Sequence, residues 1–223
     1  MSRSVPARRL PGTVRLRGQT LLTCFDQFVR LSLKGVWVRG RIPSEPVVWA
    51  MNHHHWWDAF ASGSVLRTQG QRPTVLVSDQ NLASFGVLNW IDAAPASNPE
   101  RAVEALRAGR TLMIMPEGRM LAAGPLGPLR GGAGRIAAEA EVPLVPVALR
   151  VVMRGSQYAE AFLDIGHPVT AEELAPSLGR SLAELDETLA GASPLKPLPG
   201  YRRVVAGRGS IDGFISVMTP WRR

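Results

Sequence analysis

Pro46-Val47-Val48-Trp49-Ala50-Met51-Asn52-His53-His54-His55-Trp56-Trp57-Asp58 is the stretch whose reading decides the fold. Residues 47–51 are apolar at every position, so both faces of this strand are buried, as in the interior of a parallel sheet. The apolar run stops at Met51, and a helical pattern begins near Asp58. A polar turn therefore joins a buried strand to a helix. The same arrangement recurs downstream. An apolar run at 111–115 leads into Met115-Pro116-Glu117-Gly118-Arg119. Two polar turns after two strands place one site at one end of one sheet.

The pattern continues on both sides of this stretch. Residues 18–33 form an amphipathic helix, with Leu21, Leu22, Phe25, Phe28, Val29 and Leu33 on one stripe and Asp26, Gln27 and Arg30 opposite. Two readings of this helix stand: packing on the domain core, or lying in a membrane interface beside the basic arm that precedes it. Strands are expected at 35–39, 47–51, 74–77, 111–115 and 162–165, with a further apolar run at 142–152 broken only by Arg150. Helices are expected at 58–66, at 99–108 with Asn98 as N-cap and Gly109 past the end, and at 133–140. Further helices are expected at 182–189, with shorter helical pieces at 81–89 and 171–174. A loop rich in Gly and Pro spans 118–132. Strands alternating with helices define an α/β fold: a single domain with a mostly parallel central sheet flanked by helices, plus an N-terminal amphipathic helix. The expected organisation is a basic arm and interface helix at 1–34, the main domain at 35–190 and a basic C-terminal tail at 191–223.

The chain has 223 residues and is 45% hydrophobic, enough for one cored domain. Its net charge of +8 selects anionic partners: nucleic acid, an anionic membrane, or a phosphorylated substrate. Arg outnumbers Lys, and its planar fork suits phosphate. Cys24 is the only cysteine, which excludes an intramolecular disulfide and any Cys-based metal site. No apolar h-region follows the basic N-terminus, and no apolar stretch approaches the ~20 residues that span a bilayer. A soluble or peripheral protein is expected.

His53 and Asp58 are five residues apart, which on an ideal helix is about 500° of rotation, so they share no helical face. They meet if His53 lies in the turn and Asp58 in the first helical turn. Asp58 then accepts a hydrogen bond from one imidazole nitrogen and leaves the other free to take a proton from a hydroxyl. Two plainer uses exist: Asp58 as a helix N-cap, and Trp56 and Trp57 as core or interface aromatics. Three successive histidines suggest a metal site, but neighbours in extended chain point to opposite sides and no acidic or Cys cluster completes a coordination sphere, so no metal is expected.

Asn52-His53, four residues and Asp58, set after a strand, resembles the His-x4-Asp motif of the glycerolipid acyltransferase superfamily, which includes lysophosphatidic acid acyltransferases. Met115-Pro116-Glu117-Gly118-Arg119 resembles the family's Phe-Pro-Glu-Gly-Thr-Arg block. Pro125 to Ala133 resembles the stretch in which a basic residue, here Arg130, precedes a Gly-Ala helix start. Val142-Pro143-Leu144-Val145-Pro146-Val147 resembles its Val-Pro-Ile-Val-Pro-Val block. The four blocks keep the family's order over roughly residues 35–170. The resemblance implies that His53 is the general base and Asp58 its partner. It implies that Glu117, Gly118 and Arg119 bind the acceptor's head, with Arg119 near its phosphate and Arg130 as a second phosphate contact. It also implies direct transfer of a fatty acyl group from acyl-CoA or acyl carrier protein to a lysophospholipid such as 1-acylglycerol-3-phosphate, a step of phospholipid biosynthesis. No cofactor is implied beyond the acyl donor. An anionic membrane surface is the expected partner and the inner face of the membrane, peripheral and cytoplasmic, the expected location.

Two positions depart from the family's pattern. Arg119 follows Gly118 without the intervening residue, and Ala96 stands where the family usually carries an acceptor-binding Arg, with Arg101 nearby. Both open the possibility of a different lipid acceptor. Other function classes remain in competition. A His-Asp pair can activate water, as in a thioesterase, though no Gly-x-Ser-x-Gly elbow supports a serine hydrolase. A non-enzymatic basic protein that binds lipid or membrane also fits the charge. A nucleic-acid partner is not expected, since no helix-turn-helix, zinc-finger or aromatic-basic RNA signature is present.

Overall fold

The computed structural model describes residues 12–209. The arm at 1–11 and the end of the chain from 210 lie outside the described residues. The element order is α1 (Gly12–Ser32), β1 (Gly35–Arg39), β2 (Val48–Met51), α2 (Asp58–Arg67), β3 (Pro73–Val77), α3 (Asp79–Ser84), a 3-10 helix at Gly86–Ile91, β4 (Ala94–Pro95), α4 (Glu100–Arg107), β5 (Thr111–Ile114), α5 (Gly132–Ala140), β6 (Leu144–Val152), β7 (Glu160–Ile165), α6 (Leu174–Gly191) and β8 (Arg202–Ala206). The eight strands form one sheet in the order β4-β3-β5-β2-β6-β7-β1-β8.

The α/β class and the mostly parallel sheet expected from the sequence are what the structure shows. β2 is central. It pairs in parallel with β5 on one side and β6 on the other, and β3 continues the parallel set beyond β5. All four β2 residues are buried, which explains why this strand is apolar on both faces. Direction reverses at β7, which runs antiparallel to β6; β1 pairs in parallel with β7, and β8 closes the edge antiparallel to β1.

Helices cover both faces. On one side α1 and α2 pack through Leu22, Val29, Leu33, Ala61 and Val65 against Trp49, Met51 and Val147. On the other, α4 and α5 bury Ala102, Val103, Leu106, Ala133 and Ile136 against Val48, Ala50 and Leu112. A neighbouring cluster joins α6 to Trp37, Ala148 and Phe162 through Leu178, Leu182 and Leu185.

Local details depart from the sequence expectations for identifiable reasons. α1 begins at Gly12 rather than near residue 18. Asp26 is half-buried: it accepts from Ser64 Oγ at 2.8 Å and pairs with Arg67 of α2, while Gln27 and Arg30 stay exposed. The residue at the N-cap of α4 is Pro99, without a side-chain cap, not Asn98. Gly109 ends that region with φ +78°, a left-handed position that favours glycine. The expected helical piece at 171–174 is turn up to Glu173, and the piece at 182–189 belongs to a longer helix from Leu174, because Pro176 falls in the first turn of α6, where its missing N–H costs nothing. The segment read as a tail supplies β8, whose Val205 is buried against β1.

Candidate active site

β2 carries the chain to the C-terminal edge of the parallel strands, and the backbone leaves the sheet at Asn52. Asp58, the first residue of α2, is fully buried. Its Oδ2 accepts three hydrogen bonds: from His53 Nδ1 at 2.9 Å, His54 N–H at 2.9 Å and His55 N–H at 2.8 Å. The helix itself takes no cap from it; Trp57 sits at the cap position with no side-chain bond. Asp58 therefore caps the turn in front of the helix and gathers that turn around His53.

A carboxylate only accepts, so the His53 nitrogen facing Asp58 carries the proton and Nε2 keeps its lone pair. The His53 side chain is 22% exposed, which leaves this nitrogen a route to substrate. The pairing expected from the five-residue spacing is present in the structure.

Glu117 follows β5 and is turned inward, only 7% exposed. Its Oε2 accepts the His53 N–H at 2.6 Å and its Oε1 the Gly127 N–H at 2.8 Å. The Leu121 N–H donates to His53 O at 2.8 Å. The two backbone polar groups of His53 are thus held by Glu117 and by the 118–131 loop, and Glu117 braces that loop to the His53 turn. Gly118 adopts φ +71°, and a Cβ there would lie 2.7 Å from Arg130 Nε, so only glycine lets the Arg130 side chain cross this turn. Arg119 and Arg130 are exposed, and neither has an ion-pair partner among the described residues. They remain available to an anion.

Three contributors to the site carried no role in the sequence reading. Asn52 is buried and bonds the backbone of β6 twice, accepting from Leu149 N at 2.8 Å and donating to Leu149 O at 3.0 Å. His54 Nε2 accepts the Val151 N–H at 3.2 Å. Burial holds the His54 imidazole below its ordinary pKa, assisted by Arg150 and the flanking histidines and opposed by Asp58. Arg150 bonds Asp186 of α6 and Gly124 O of the loop. The only signal for Arg150 was a lone charge in an apolar run. Each histidine of the turn has its own partner, since His55 Nδ1 accepts the Trp57 N–H at 3.1 Å. Among the described residues, no group of three or more His, Cys, Asp or Glu is arranged to hold a metal ion. Ala96 follows β4 and donates its N–H to Val77 O at 2.7 Å, while Arg101 lies on α4.

An α/β domain with an oriented histidine at the C-terminal edge of its parallel strands, beside a turn bearing unpaired arginines, is built for base chemistry next to an anionic group. The chain belongs to the acyltransferase family: the family model described as Acyltransferase matches residues 35–150, more than half of the sequence. Its glycerolipid acyltransferase motifs lie largely within that span. Among solved structures it resembles the 1-acyl-sn-glycerophosphate (LPA) acyltransferase PlsC from Thermotoga maritima, with TM-score 0.55 and 18% sequence identity, over 81% of this chain and 79% of that one. That likeness establishes the shared fold. Comparison with curated proteins found no match.

Proposed function

We propose that this acyltransferase moves a fatty acyl group from an acyl thioester, acyl-CoA or acyl carrier protein, to the hydroxyl of a lysophospholipid such as 1-acylglycerol-3-phosphate. The observation that carries the reading is the 2.9 Å bond between His53 Nδ1 and Asp58, which leaves Nε2 as a base at the mouth of the site. The acceptor hydroxyl gives its proton to Nε2 as its oxygen attacks the thioester carbonyl carbon. The new C–O bond forms, the C–S bond breaks, and the leaving thiolate takes the proton back from His53. Buried Asp58 stabilises the imidazolium that exists between the two transfers. Arg119 and Arg130 hold the acceptor phosphate. Glu117 contributes through the backbone of His53.

The surroundings support a lipid acceptor presented by a membrane. Phe28, Leu31, Trp56, Met120, Met153 and Leu195 are large apolar side chains left exposed. The Trp56 ring packs on Phe60 and Phe28 beside the catalytic turn. Behind α2 lies a small, mainly apolar cleft lined by Phe25, Phe60, Val75, Leu88 and Met113, with the Asp26–Arg67 pair also in its wall. No helix among the described residues is long and apolar enough to cross a membrane. A surface-bound enzyme on the inner face fits these features.

The test is thiol release from acyl-CoA and from acyl carrier protein, with and without 1-acylglycerol-3-phosphate. Acceptor-dependent release is expected, with His53→Ala lowering kcat at least about 10³-fold. Equal release without acceptor would identify a thioesterase instead. Ala96, in place of the family's Arg, favours a second reading in which the acceptor carries another head group. A panel of lysolipids with and without a terminal phosphate separates the two.

A further inference from the structure

β6 is paired along its β2 side only as far as Val147, opposite Met51. Beyond that point β6 continues to Val152 and stays bonded to β7 on its other side. Alternate residues of a strand turn their backbone groups to the same side. After Val145 and Val147, the next positions facing the β2 side are Leu149 and Val151. Their polar groups have lost a strand partner, because β2 has ended and the chain has turned away. Buried backbone groups of this kind must find partners elsewhere.

Side chains supply them. The carboxamide of Asn52 exchanges both bonds with Leu149, as a peptide group would, and the His54 ring accepts from Val151 N–H. The ladder of β2 is thus continued by two side chains while the backbone between them, with His53, bends out of the sheet.

From this juxtaposition we infer that Asn52 and His54 are positioning residues for the His53 base, and that His54 does this only in its neutral form with the proton on Nδ1. The inference rests on the acyl-transfer reading above. Accepting from Val151 requires an unprotonated Nε2, so the ring proton sits on Nδ1. That nitrogen lies 3.4 Å from Asn52 Nδ2, which donates to Leu149 O at 3.0 Å, and 3.9 Å from Asp58 Oδ1, a buried oxygen with no hydrogen-bond partner, while Oδ2 serves His53. A neutral ring accepts at one nitrogen only, and the shorter contact, from Val151 N–H at 3.2 Å, assigns that role to Nε2. Asp58 thus has one oxygen committed to the base and the other facing the His54 N–H. Protonation of His54 would set N–H against the Val151 N–H and break the seam. It would also put a second cation beside Asp58 in competition with His53. The charged and titratable groups around the ring are Asp58 on α2, Arg150 on β6, and His53 and His55 in the turn. Burial, the strongest of these influences, favours the neutral ring.

The experiment joins kinetics to NMR of protein labelled with ¹⁵N-histidine. The chain has only 4 histidines, so single substitutions assign them. His54 should show the Nδ1–H tautomer at neutral pH and stay unprotonated below the pH at which a free imidazole titrates. His54→Phe fills the space but offers no acceptor; kcat should fall about 10- to 100-fold with KM changed less than about twofold. His54→Gln can present an oxygen to Val151 N–H, and should recover most of that loss. Because Gln does not titrate, its acid limb of log kcat should keep a slope of one proton where the parent steepens towards two. An Nε2–H tautomer for His54, a kcat for His54→Phe within about twofold of the parent, or no recovery in His54→Gln would each overturn the inference. Absence of any turnover in the parent protein would instead count against the acyl-transfer reading, and the tautomer measurement would still decide the state of His54. If His54→Phe does not fold, the Gln variant and the tautomer carry the test.

Discussion

Glu117 touches both the His53 turn and the loop that follows β5, and it does so through two backbone N–H groups. Glu117→Gln preserves its size but turns one acceptor into a donor facing N–H. A buried donor left against a donor costs about 1–3 kcal/mol. Denaturant unfolding should register that loss, and kcat should fall more than KM rises, because the variant moves His53 rather than removing an acceptor contact. A rise in KM alone would instead assign the carboxylate to the acceptor head. At this scale the sequence revealed the His53–Asp58 pair, since its five-residue gap across a strand-helix junction admits one geometry. It could not reveal what Glu117 faces. A Glu beside Gly118 and Arg119 reads as a polar surface turn, and its burial depends on a loop that returns at Gly127. Nor could it reveal the bonds of Asn52 and His54, which are made to a strand almost a hundred positions downstream.

Among elements, the 118–131 loop is held at several points rather than by a ladder. Glu117 fixes it from β5, Leu121 fixes it to His53, and the guanidinium of Arg150 ties Gly124 O to β6 and α6. Arg150→Met should loosen the loop without unfolding the domain. Asp186 is 43% exposed and is solvated once its partner is gone, so the stability change should stay near 1 kcal/mol. Limited proteolysis and amide exchange around Gly124 should both accelerate, and KM for the acceptor should rise. Elements with a clear period were legible: β2, α2, α4, β5 and α5 all stand where their patterns put them. α6 was read in two pieces because Pro176 and Gly179 interrupt the local propensity, although Leu174, Leu178, Leu182 and Leu185 keep a helical stripe that is buried throughout. β8 was missed because Arg202 and Arg203 disguise a strand that needs only one buried face at the sheet's edge.

Over the whole molecule, several of the exposed apolar side chains share one end of the sheet with the site; Trp90, beside Arg72 and Arg110 where β3 and β5 begin, lies at the other. Met153 follows the C-terminus of β6, Trp56 belongs to the turn after β2, and Leu31 precedes β1, which starts at that same end because it runs opposite to β6. The protein should therefore meet a bilayer with its site facing inward. Trp56→Ser should weaken binding to anionic vesicles about tenfold, as expected for losing one buried aromatic side chain. Added salt should weaken binding further by screening the basic surface. Cosedimentation measures both, and unchanged partitioning of the variant would exclude this face as the contact. The sequence marked charge and apolar content but not their common side, because Leu31, Trp56, Met120 and Met153 come together only through the topology of the sheet.

β2 bears on how this protein can fail. It is buried at every residue and flanked by bonded neighbours on both sides, and the His53 turn hangs directly from its end. Fraying begins at edges such as β4 and β8 and at peripheral helices, where few contacts must be broken. Fraying of β4 or β8 leaves His53 in place, whereas opening of α2 or of the 118–131 loop reaches it through Asp58 and Leu121. On heating, activity should therefore outlast the sheet edges and vanish before the central strands separate.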